Sequence, residues 1–291
     1  MADRSPDTRW LEYFEGRQGR ELDAPTDTSF EEQPGREAVA RSLARFELGE
    51  SGDGERLRRL AVQTGDAAYS RAIELFVAEE DQHARWLGIL RRRFGGERLT
   101  SHWSASAFVV LRHLGGLRRE ICVLLTAEVI ALTYYRVLAL ANPDPVLQAA
   151  CERILRDERG HVAFHRAALS REFAGLPAAG RTLGVISWRA FVLVTAKAVA
   201  WDHRAVLELA GVRRAGFEAE VRVTRDGWRG RCARRRPQPR WPKRETRGRP
   251  RRPPLNPCRG RTRHGRPWPR RSGSVACPRR AALARRSSSR T

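Results

Sequence analysis

The pattern Glu-x29-Glu-x-x-His occurs twice in this chain of 291 residues, as Glu50, Glu80 and His83 and, 78 positions later, as Glu128, Glu158 and His161. In each copy a carboxylate and an imidazole stand three residues apart, which on an α-helix puts both side chains on one face, about one turn apart. Such a pair can chelate a metal ion. A single Glu-x-x-His is ordinary on a solvated helix face, but a second copy with another Glu at the same upstream distance asks for a common cause.

The midpoints of the two spacings supply one. Antiparallel helices bring together residues equidistant from the turn between them, and the midpoint of 50 and 80 is Gly65, followed by Asp66. That of 128 and 158 is Pro143, within Asn142-Pro143-Asp144-Pro145. Both are turn signals. Each half therefore reads as a helical hairpin with one Glu facing a Glu-x-x-His. Two hairpins packed face to face bring four carboxylates and two imidazoles to one point. The competing reading places these residues on solvated faces or in buried ion pairs. It is disfavoured because Glu128 sits in the middle of the apolar run 121–141, and an unpartnered buried carboxylate is costly.

Six ligands in this order resemble those of the ferritin-like di-iron and di-manganese carboxylate superfamily, in which two helices each give a Glu and two others each give Glu-x-x-His. The resemblance covers roughly residues 36–211. It implies an all-α, ferritin-like four-helix bundle in which Glu50 and His83 bind one metal, Glu128 and His161 the other, and Glu80 and Glu158 bridge. Carboxylate-rich ligation with one imidazole per metal suits two iron ions, with manganese as the alternative. Glu79 and Asp157 each stand just before a bridging Glu and can orient the imidazole of the opposite hairpin. In ribonucleotide reductase small subunits, to which the pattern is similar, an Asp directly before the helix-four Glu has that role.

The resemblance further implies a di-iron oxidoreductase that activates O2 or peroxide and oxidises an organic small-molecule substrate. A rubrerythrin-like peroxidase or ferroxidase is the rival, and a metal-free helical scaffold with a polyanion-binding tail is a third. The chain has no Cys-x-x-Cys pair, so electrons are expected from an external donor.

Along the chain, residues 1–35 show no sustained period and read as an irregular arm. Val39, Leu43, Phe46 and Glu50 open a first helix expected to run from about 37 to 63. Gly49, Gly52 and Gly54 weaken it, at about 1 kcal/mol each relative to Ala. A continuous helix is expected there. If it breaks at 51, Glu47 becomes the rival ligand. Helices are expected at about 66–94, 117–141 and 145–172, with a crossover at 97–116 that holds a short helix at 105–113. A fifth helix is expected at about 182–211. Tyr134, Tyr135, Trp86 and Phe164 lie within two turns of ligands and read as core. Asp202 and His203 are candidates for capping the site or supplying a further ligand, and His165 reads as a surface or supporting residue.

The net charge of +23 is local, because 23 of the 56 Lys and Arg residues but one of the 33 acids lie from Arg229 onward. The segment 222–291 has no periodicity and too few apolar residues to form a packed core. It is either a disordered basic tail or a stretch read out of frame from a GC-rich gene, and no specific nucleic-acid partner is expected of it. Cys122 and Cys151 fall in apolar helical context and read as reduced core residues. The runs 121–141 and 183–200 carry internal charges, so both are expected to be buried helices and not membrane spans. The N-terminus lacks signal-peptide features. A cytoplasmic protein, able to form a homodimer, is the expectation.

Overall fold

The computed structural model describes residues 6–19, 35–52 and 54–227, and among these every regular element is an α-helix. They are α1 (Pro6–Glu15), α2 (Arg36–Glu50), α3 (Gly54–Val62), α4 (Ala67–Arg93), α5 (Trp103–His113), α6 (Leu117–Ala141), α7 (Pro145–Ala174), α8 (Ala178–Asp202), α9 (Arg204–Leu209) and α10 (Arg214–Asp226).

Both turn signals act as read from the sequence. Gly65 takes a φ of 74°, where a side chain would be strained. Asp66 then caps α4 by accepting the Tyr69 backbone N–H at 2.9 Å. Asp144 caps α7 through the Leu147 N–H at 2.9 Å, with Pro145 in the first turn, and Arg93 fixes its other oxygen at 2.8 Å. α2 packs on α4, α6 packs on α7, and α4 meets α7. α6 is the central element, packed against α3, α5, α7, α8, α9 and α10. Its Glu128, Tyr134 and Tyr135 are buried.

Four expectations are corrected. The N-terminal arm is not irregular over 6–15: α1 lies on α4 and seats Phe14 in the core at 1% exposure. The first helix is not continuous. It ends at Glu50, where the Ser51 N–H and hydroxyl both turn back to the Glu47 carbonyl, and α3 restarts at Gly54. A Cβ at Gly54 would overlap Val77, so the glycine serves a close approach to α4. The fifth helix divides at His203 into α8 and α9, and α8 is not a buried helix. Both α6 and α8 are long and apolar enough to cross a membrane, yet 83% of the α6 window is buried and 17% of the α8 window. Finally, the packed region does not stop at 211, and helix continues past 222. α10 packs on α6 and α8, with Phe217 and Val221 wholly buried. Its apolar residues were too few to stand out beside the Arg-rich sequence that follows. The remainder of the basic tail lies outside the described residues.

Candidate metal centre

α4 and α7 bring Glu80, His83, Glu158 and His161 together, with one ligand-capable atom from each lying within 4.8 Å of the others. This group can hold a metal ion. Both imidazoles present Nδ1 to the carboxylates. His161 Nδ1 is 2.9 Å from Glu80, 3.6 Å from Glu158 and 3.8 Å from Glu128, and His83 Nδ1 is 3.5 Å from Glu158 and 3.8 Å from Glu80. Glu50 closes the set from the end of α2, beside Glu80 and Glu128, and accepts the Tyr135 hydroxyl at 2.7 Å. Glu50 and Glu80 keep some accessible surface because they face an internal cavity.

Glu47 is not at this cluster. It pairs with Arg91 and approaches Gly88 on the outer side of α4, so the break after Glu50 leaves Glu50 as the α2 carboxylate at the centre.

The imidazoles turn their Nε2 atoms outward onto the two acids singled out in the sequence. His161 Nε2–H donates to Glu79 at 2.9 Å, and His83 Nε2 lies 3.4 Å from Asp157. Each acid thus faces the histidine of the opposite helix. Arg17, just beyond α1, was missed. It pairs with Asp157 and stands 3.2 Å from Glu79, joining the two acids. Arg153 also holds Asp157, at 3.0 Å. Gly160, inside the second motif, is where α1 rests, since a Cβ there would overlap the Tyr13 hydroxyl. That glycine was the available signal that something packs closely on α7.

His165 is not a surface residue. It is wholly buried beside Phe76 and Phe164, 4.0 Å from Glu128, and neither ring nitrogen has a hydrogen-bond partner. Asp202 and His203 do not reach the cluster. His203 Nδ1 meets Ser42 at 2.9 Å and Tyr134 at 3.0 Å, while Asp202 faces Arg45 at 3.4 Å. Tyr134, Tyr135, Trp86 and Phe164 are core residues, Tyr135 with the added bond to Glu50.

The cluster is electrostatically unlike the other buried acids. Asp7 pairs with Arg171, Glu47 with Arg91, Glu120 with Arg112, Asp144 with Arg93 and Asp157 with Arg17. Among the described residues no Arg or Lys pairs with Glu50, Glu80, Glu128 or Glu158. Burial and the neighbouring carboxylates therefore push Glu50 and Glu158 well above the usual range and raise Glu80. Glu128 is held at about 2: burial opposes its ionisation, but the adjacent Glu158 carboxyl and His161 imidazole outweigh it. His161 is driven well up by Glu80, Glu128 and Glu158 against the effect of burial, while burial and the charge on His161 push His83 well down. Glu80 Oε1, both Glu158 oxygens and the Nδ1 atoms of His83 and His161 are buried without a hydrogen-bond partner. Orphaned acceptors pointing at one another are what a cation would satisfy.

A cavity of about 370 Å³ adjoins the cluster on the side of α2, α5, α6 and α8, with Glu50, Glu80 and Glu128 at one end. The opposite side is closed by α1, whose Phe14 ring lies 6.1 Å from that of His161. No family model matches the chain, and neither a curated protein nor a solved structure matches it.

Proposed function

We propose that the chain is a ferritin-like four-helix bundle with additional helices, carrying a dinuclear metal centre that serves an O2- or peroxide-activating oxidoreductase. The observation that carries the metal assignment is the absence of any described Arg or Lys against four clustered carboxylates, while the other buried acids have arginine partners. Two divalent cations supply the missing charge. Glu50, Glu80, His83, Glu128, Glu158 and His161 would hold them. Oxygen and nitrogen donors without thiolate favour iron, with manganese as the alternative.

Such a centre, when loaded, supplies two reducing equivalents to O2 or peroxide. The protein's own side chains do the rest. Glu79 and Asp157 fix the tautomer and direction of the imidazoles, which leaves Nδ1 of each free to face inward. Tyr135 donates to Glu50 and so limits the rotamers of the one carboxylate supplied by a helix end. Phe14 and α1 keep water from one side, and the cavity admits a reactant from the other. The cavity favours oxidation of an organic substrate over a peroxidase or ferroxidase that needs only an ion or peroxide path. Reducing equivalents come from a separate donor, and a cytoplasmic location fits such a donor.

The test is metal analysis of the purified protein together with its optical spectrum when the reduced form meets O2 or peroxide. About two iron ions per chain, and an absorption change lost in His83→Ala, are expected. A folded protein that takes up neither iron nor manganese sinks the reading.

A further inference from the structure

We propose that the cavity beside Glu50 binds an uncharged, largely apolar organic substrate, admitted between α5 and α8. The oxidation of that substrate rests on the metal centre proposed above; its binding does not.

The volume of about 370 Å³ falls in the range of small-molecule sites. Leu57, Val77, Phe108, Ile130 and Val199 are among the walls, and the polar groups that face the space are already engaged. Arg45 donates to the Asp202 carbonyl at 2.6 Å and Arg112 to Glu120 at 2.7 Å. The Thr126 hydroxyl donates to the Cys122 carbonyl, the Thr195 hydroxyl to the Phe191 carbonyl, and Ser104 is bonded to His102. An anion entering this space would lose its hydration, find each lining arginine paired with an acid, and approach three carboxylates. Apart from Glu80 at the cluster, the fully buried lining atom without a hydrogen-bond partner among the described residues is Asp202 Oδ2, an acceptor. It suits a neutral ligand carrying one hydroxyl and repels a carboxylate.

The entrance is apolar as well. Trp103 of α5 and Val194 of α8 line the cavity and are 49% and 66% exposed, and Trp103 meets Trp201 edge-on with ring centroids 6.5 Å apart. A rim of this kind adsorbs a hydrocarbon surface before it enters, as burial of apolar area is favourable on both sides of the mouth. The far side of the cluster offers no such route, because α1 covers it.

The experiment uses the full chain and the neutral dye N-phenyl-1-naphthylamine, whose emission rises in apolar surroundings, with decan-1-ol and decanoate as competitors at pH 8. One dye per chain is expected, displaced about tenfold more effectively by the alcohol than by the anion. Ala198→Phe on α8 and Ala127→Phe on α6 fill the space from two walls. Each is expected to weaken dye binding about tenfold at unchanged helix content, and either suffices if the other fails to fold. Unchanged dye affinity in a folded variant, or displacement by decanoate as effective as by decan-1-ol, overturns the assignment. Iron content is measured on the same samples. A protein that binds dye and alcohol but takes up no iron supports the cavity assignment and removes the metal reading. One that loads iron but binds no dye removes the cavity assignment alone.

Discussion

Arg17 pairs with Asp157 across the outer face of the candidate centre, and its Nε reaches Glu79 at 3.2 Å, so one guanidinium joins the acids that orient both imidazoles. The side chain is 12% exposed and lies over the Tyr13 ring at 4.9 Å. This is not a solvated surface pair of negligible value. Loss of the guanidinium frees both acids at once, and through them both histidines. Arg17→Ala is expected to weaken metal binding about 10- to 100-fold, the usual effect of removing a ligand's supporting partner. Gly160→Ala is expected to do the same by displacing Tyr13 and the turn that carries Arg17. Competition against a chelator at unchanged helix content measures both. Affinity equal to that of the original chain in both variants would show that α1 is only a cover.

Metal loading is expected to release protons, because ligands must lose them to coordinate and Glu50, Glu80, Glu158 and His161 are all shifted upward in the metal-free chain. These groups hold their protons to higher pH than usual. His83 and Glu128 are shifted downward and so contribute less. The sign follows directly: affinity rises with pH and falls as the solution is acidified. Titrating iron or manganese into a weakly buffered solution with an indicator dye counts the protons. A release near zero would mean that the cluster is not the binding site.

Much of this centre was legible because periodicity and spacing are properties of the chain itself. The positions of Gly65 and Pro143 fixed the antiparallel partners, and with them the meeting of Glu128 with Glu158 and of Glu50 with Glu80. Arg17 was not legible, since it arrives from a segment joined to the centre by packing alone. The break after Glu50 depended on whether Gly54 meets open space or Val77, a tertiary fact that helix propensity does not contain. For His165 the sequence left surface and supporting roles open for a similar reason: one helical turn beyond a ligand is buried or exposed according to what stands opposite, and here Phe76 stands there. α8 was misread as buried because its composition resembles that of α6. Only packing distinguishes a helix surrounded by others from one with an outward apolar face.

Acid sensitivity has a separate source in His203, which burial pushes down to about 3 beside Ser42 and Tyr134. Its folded value lies below the unfolded one of about 6.5, so the unfolded chain takes up a proton first. Stability from this residue is complete above about pH 6.5 and is lost progressively as pH falls toward 3. At pH 5 the loss is roughly 2 kcal/mol. Unfolding free energies from urea titrations at pH 7 and pH 5 are expected to differ less in His203→Gln than in the original chain by about that amount. Comparing the two slopes cancels the carboxylates, which titrate in both proteins. Equal slopes would mean that His203 takes up its proton at the same pH in the folded and unfolded chain.

The last described helix, α10, runs to Asp226. Asp226 pairs with Arg189 of α8 at 2.8 Å, and Arg225 donates to the Arg189 carbonyl at 3.0 Å, so the last turn of α10 is tied to the helix beneath it. Phe217 and Val221 are both wholly buried. Each is worth about 1.5–3 kcal/mol relative to exposure, as an upper estimate. A chain of residues 1–227 is therefore expected to keep the metal content and melting temperature of the full chain. It is expected to lose only salt-sensitive binding to polyanions, since the 23 Lys and Arg from Arg229 onward supply that charge. A chain of residues 1–211 lacks α10 and is expected to be several kcal/mol less stable, because the α6 and α8 faces under Phe217 and Val221 become exposed. Thermal melts and metal analysis of the three chains separate the two effects. Should residues 1–227 fold but fail to load metal, the basic segment would be completing the centre, and the assignment of its ligands to α2, α4, α6 and α7 would be wrong.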